Sequence, residues 1–78
     1  MSKRIKRYIT KEECNANSIH YKNVLPESRF KILQLRFEQE KSVRTIANEF
    51  KVSTTRIYQL IAHAFHLLEN AGFATQKE

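Results

Sequence analysis

Two short apolar stripes with an abrupt break between them constrain this chain more than anything else in it. Val43, Ile46, Ala47 and Phe50 recur at i, i+3, i+4 and i+7, one face of a two-turn helix. Ile57, Leu60, Ile61, Ala64 and Leu68 repeat the pattern for a longer helix. Only Lys51-Val52-Ser53 separates the two helices these runs mark, with neither Gly nor Pro to make a turn. Ser42 and Ser53 stand where N-caps belong, because a serine oxygen can accept an otherwise orphaned N–H of the first turn. Gly72 is placed to stop the second helix. The spacing therefore predicts helices over 43–50 and 54–70, joined by a tight turn.

Such a pair meets the requirements of a helix-turn-helix, in which a short brace helix crosses a second helix that enters the major groove. The crossing needs a small side chain, and Ala47 supplies it. The turn calls for one buried apolar residue, and Val52 is the candidate. At about 100° per residue, Thr55, Gln59, Ala62 and His66 fall opposite the apolar stripe of the second helix. Arg56 and His63 lie on one flank, and Thr54 and Tyr58 on the other. This side is short, polar and small at its centre, which suits a groove. Gln can bond bidentately to adenine, Arg to guanine, and Thr methyls can pack on thymine. The competing reading is an ordinary solvated helix face; the surrounding motif favours DNA.

The rest of the chain fits an all-α domain. With one Gly and one Pro in 78 residues, hairpins have little to turn on, and no alternating strand run is evident. Leu25-Pro26-Glu27 signals a helix start, with Pro at the first helical position. Phe30, Leu33 and Phe37, with Ile32 beside them, extend that helix to about residue 38. Thr10-Lys11-Glu12-Glu13 fits a capping box. Asn15 and Asn17 weaken the helix that would follow, so residues 1–24 read equally as a basic arm or as a short helix. The organisation expected is an arm or short helix over 1–24, a helix-turn-helix domain over 25–72 and a tail over 73–78. The fold class expected is a small helix-turn-helix bundle of three to four helices with a long C-terminal recognition helix.

Charge points to the partner. Fourteen Lys and Arg against eight acidic residues give a formal net charge of +6, which suits a polyanion. Lys3, Arg4, Lys6 and Arg7 cluster at the start and, with Ser42, Arg44, Ser53 and His63, are the candidates for phosphate contacts. Thr54, Thr55, Arg56, Tyr58 and Gln59 are the candidates for base reading. The lone Cys14 allows no internal disulfide, and with no apolar run of spanning length the expected setting is cytoplasmic, away from membranes.

Two other chemistries fit the sequence less well. Cys14, His20, His63 and His66 could be imagined around zinc, but no Cys-x-x-Cys or second ligand pair exists, so solvated or phosphate-facing histidines are the better reading. The chain has no Asp, no Gly-rich phosphate loop and no nucleophile at fixed spacing from a base. Neither an enzyme nor a cofactor is expected.

Leu25-Pro26-Glu27-Ser28-Arg29, Leu33-Gln34-Leu35-Arg36-Phe37, Ile46 through Ser53, Arg56 through Leu60 and Ala62-His63-Ala64 together resemble the C-terminal promoter-reading domain, region four, of major bacterial sigma factors. The resemblance spans about residues 25–70. It implies double-stranded DNA and RNA polymerase as partners, with Thr54, Thr55, Arg56, Tyr58 and Gln59 at the family's reader positions. Arg56 and Gln59 keep the usual residue type. Thr54 and Thr55 replace a common Arg-Glu pair, and Tyr58 a common Arg, so the family's usual promoter sequence does not carry over. His63 and His66 stand where Lys or Arg is frequent, which weakens phosphate attraction at neutral pH. A complete sigma factor also needs a polymerase-clamp domain, for which 78 residues leave no room. The expectation is a stand-alone sigma-like regulator or a domain of a larger chain.

Phe65, Leu67 and Leu68, with Phe73 just beyond, make the end of the long helix apolar nearly all round. Cover from Ile19, Tyr21 and Val24 is the favoured reading, with a homodimer or a polymerase contact as alternatives. A protein-interaction module that binds RNA polymerase, or competes with a sigma factor without reading DNA, is the alternative function.

Overall fold

The computed structural model describes residues 7–73 and 76–77, with side chains over 8–73. Five helices carry the fold: α1 (Lys11–Ala16), α2 (Ser18–Val24), α3 (Glu27–Leu33), α4 (Val43–Phe50) and α5 (Thr54–Asn70). A π-turn over Gln34–Glu38 continues α3. The fold is all-α, as expected. The only strands among the described residues are two-residue segments, β1 (Arg7–Tyr8) and β2 (Gln76–Lys77), paired antiparallel with Arg7 opposite Lys77. No helix among the described residues is long and apolar enough to cross a membrane.

Residues 11–24 are helical rather than an extended arm, and they form two helices where at most one was foreseen. The capping box forms as read: Thr10 Oγ1 accepts the Glu13 N–H at 3.1 Å, and Glu13 Oε1 accepts the Thr10 N–H at 3.4 Å. Asn17 then breaks the run. Its backbone leaves helical geometry, and its amide donates to the Glu13 carbonyl at 3.1 Å. This is the local competition for backbone partners that disfavours Asn inside helices.

Helix α3 starts one residue later than its proline suggested. Pro26 is the N-cap, with its carbonyl accepting from Phe30 at 3.0 Å. Gln39 N–H bonds back five residues to the Gln34 carbonyl at 3.0 Å, the signature of a π-turn. Only one stripe was anticipated on this segment, yet it has two buried faces. Leu33, with half-buried Phe30 and Phe37, joins a core made by Ile9, Cys14, Tyr21, Leu25, Ala64, Phe65 and Leu68. Ile32 and Leu35 join a second core with Val43, Ile46, Ala47, Ile57 and Leu60. The segment is wedged between the two, and Ile61 of α5 packs against both.

The turn at 51–53 is closed by the backbone. Lys51 adopts the left-handed conformation, φ 58° and ψ 43°. Val52 N–H returns to the Ala47 carbonyl at 3.0 Å, and Lys51 N–H to Asn48 at 3.3 Å. This is a Schellman ending, normally completed by Gly. Val52 was expected to be buried between the helices, but it stays 39% exposed; the carbonyl bonds, not an apolar plug, hold the turn. A left-handed non-Gly residue costs roughly 1–2 kcal/mol, partly offset by the chain entropy Gly would lose on folding. Lys51→Gly should therefore stabilise the fold by about 0.5–1 kcal/mol. A rise in denaturant midpoint at constant slope is the readout.

Helix α5 ends as read from Gly72, whose φ is +95°. Phe73 N–H bonds the Leu68 carbonyl at 3.0 Å, and its ring meets Tyr21 edge-on at 5.2 Å.

Candidate nucleic-acid interface

The geometry of α5 follows from its caps and its two packed neighbours. Ser53 Oγ accepts the Arg56 N–H at 3.1 Å, and the first ladder bond runs from Ile57 N–H to the Ser53 carbonyl at 3.2 Å. The N–H groups of Thr54 and Thr55 precede that ladder and are directed out of the helix start. Ser42 does the same for α4, accepting from Thr45 N–H at 3.1 Å. Where the helices meet, Ala47 is 3% exposed; its small side chain lets the brace sit close to Ile57 and Leu60 in the second core.

One side of α5 is thereby committed to the interior: Ile57, Leu60, Ala64, Phe65 and Leu68 are buried. The opposite side faces solvent. Thr54, Thr55, Arg56, Tyr58, Gln59, Ala62, His63 and His66 are all exposed. The five base-reading candidates thus lie together on one solvent-facing surface over the first turn and a half of the helix.

The phosphate candidates are more scattered. Ser42, Arg44 and Ser53 are exposed, but both serine oxygens already act as caps. Arg7 pairs through its backbone in β1, and its side chain, like Lys3, Arg4 and Lys6 entirely, lies outside the described residues. Lys41, next to Ser42, is held by Glu49 at 2.8 Å. His63 is not simply solvated. Its Nδ1 accepts from Arg29 Nε at 3.2 Å, and Arg29 Nη1 reaches Ser28 Oγ at 3.3 Å. Sequence reading missed Arg29, and no local signal could have found it, because the bond joins residues 34 apart.

The histidines and the cysteine have different surroundings. Cys14 lies in the first core, its thiol pushed up to about 11 by burial and then by the Glu38 carboxylate. His66 Nε2 lies 3.3 Å from Asn70 Nδ2. Among the described residues, no group of three or more His, Cys, Asp or Glu could hold a metal ion.

The apolar end of α5 is covered from within. Phe65 and Leu68 are buried, and Tyr21, Val24 and Phe37 pack around them, with Phe37 edge-on to Phe65 at 5.6 Å. Ile19, expected to share this task, instead points outward at 73% exposure. Cover of that end therefore needs no second copy of the chain.

The family model for sigma-70, region 4 matches residues 23–70. The chain belongs to the sigma-70 region 4 family. No curated protein and no solved structure matches it. The region 4 match takes in α3, α4 and α5, the whole helix-turn-helix and the helix packed against it. Helix α1 and most of α2 lie ahead of it, and they supply Cys14 and Tyr21 to the core that closes the region 4 domain at the end of α5.

Proposed function

We propose that this chain is a transcription regulator that binds duplex DNA sequence-specifically, with α5 in the major groove. It acts by binding, without catalysis or a cofactor. The observation that carries the reading is the solvent-exposed polar side of α5, set outward by α4. Arg56 and Gln59 read base edges, as their bidentate geometry suits guanine and adenine. Thr54 and Thr55 add methyl contacts, and Tyr58 flanks them. Arg44, the N–H groups at the start of α5 and the basic residues before β1 hold phosphates.

Selection from random duplexes at a stated salt concentration tests this. Arg56→Ala and Gln59→Ala should each cost about 1–3 kcal/mol on the preferred site and relax the preference there. Unchanged affinity and preference in both variants would remove α5 as the reader.

A second reading, binding to RNA polymerase or competition with a sigma factor, draws support from the family itself and from the uncommon residues at three of the five reader positions, Thr54, Thr55 and Tyr58. Recovery of polymerase from a bacterial lysate, with no measurable duplex affinity at low salt, would decide for that reading.

A further inference from the structure

We infer that Arg29 and His63 form a phosphate clasp beside the reading face, with Arg29 the charged group that grips the DNA backbone. The inference rests on the proposal that α5 enters the major groove, and it adds a contact from a different helix.

Position comes first. His63 lies one turn beyond Gln59, on the same flank of α5 as Arg56. At about 1.5 Å per residue it stands about 13 Å past Thr54 along the axis. A recognition helix presents its N-terminal residues to base edges, so a side chain that far along meets the sugar-phosphate wall as the helix leaves the groove. Arg29 approaches the same place from α3.

Chemistry comes second. The guanidinium has five N–H donors. The contacts to His63 Nδ1 and Ser28 Oγ occupy two of them, leaving three directed elsewhere. Neither partner is an acid, so neither offsets the positive charge. The contrast is Lys41, whose ammonium is held by Glu49 at 2.8 Å. A guanidinium fixed at two points has given up rotamer freedom before binding, which lowers the entropy cost of gripping an anion. Its fork matches the oxygens of a phosphate.

The imidazole has a defined part as well. A neutral ring that accepts at Nδ1 carries its proton on Nε2. Arg29 thus sets the tautomer of His63 and turns its donor away from α3, toward the same backbone. The charge comes from α3, and the histidine positions it.

Titration of a fluorescent random-sequence duplex with the full chain, over 50–500 mM salt, tests the clasp. Each phosphate neutralised contributes about 0.9 to the log-log salt slope. Over that tenfold range the unmodified protein should therefore lose about eightfold more affinity than Arg29→Ala. The ranking of selected sequences should be the same for both. His63→Ala should weaken binding while keeping the slope, and the double variant should lose less than the sum of the two. A wild-type slope in Arg29→Ala, or fully additive losses, overturns the clasp alone. Absence of duplex binding by the unmodified chain at 50 mM salt overturns the reading of α5 and the clasp with it. His63 is exposed, Arg29 is half-buried, and both lie outside either core, so the comparison is between folded proteins.

Discussion

Phe65→Ala should destabilise the domain by about 3–5 kcal/mol, the largest effect expected of any single substitution here. The ring is 1% exposed. It packs edge-on against Phe37 at 5.6 Å and shares a core with Cys14, Tyr21 and Leu25. Its removal deletes buried apolar area and leaves a cavity that three different helices would have to collapse to fill. Domains of this size are held by roughly 0.05–0.15 kcal/mol per residue, so a loss of this size consumes much of the total. The thermal midpoint should fall by more than about 10 °C, given about 4–8 °C per kcal/mol for domains of 60–100 residues. The substitution also probes α1 and α2 directly. If the loss stayed below about 1 kcal/mol, the packing of those helices over the end of α5 would be refuted.

Ile57→Ala should cost about 2–5 kcal/mol from the other core. Ile57 has no exposed surface, and it is held by Ile32, Leu35, Ile46 and Ala47 where the brace crosses α5. It directly precedes Tyr58 and follows Arg56, so the reading face loses its support at its centre. The two cores are coupled. Ile61 belongs to both, and Leu33 and Ile32, adjacent in α3, serve one each. Both variants should therefore unfold in a single transition that coincides by fluorescence and circular dichroism, with the denaturant slope of the unmodified chain. Separate transitions for the two probes in Ile57→Ala would mean that the brace and the N-terminal helices fold as independent units.

The parts of this protein that the sequence by itself determined are those governed by neighbours three or four residues apart. The bounds of α4 and α5, the caps at Ser42 and Ser53, the capping box at Thr10 and Glu13 and the stop at Gly72 all depend on helix periodicity or on one side chain meeting a nearby backbone group. The outward polar side of α5 was legible for the same reason, since the stripe that must be buried defines the side that need not be. Tertiary structure decided the rest. It gave α3 two buried faces because it lies between two cores, and it turned Ile19 outward while Tyr21 went in. Backbone bonds closed the turn at Lys51 in place of a buried Val52. It also brought Arg29 to His63 across 34 residues of chain. Each of these depends on which surfaces meet, and periodicity along one helix carries no information about the helix on the other side of the contact.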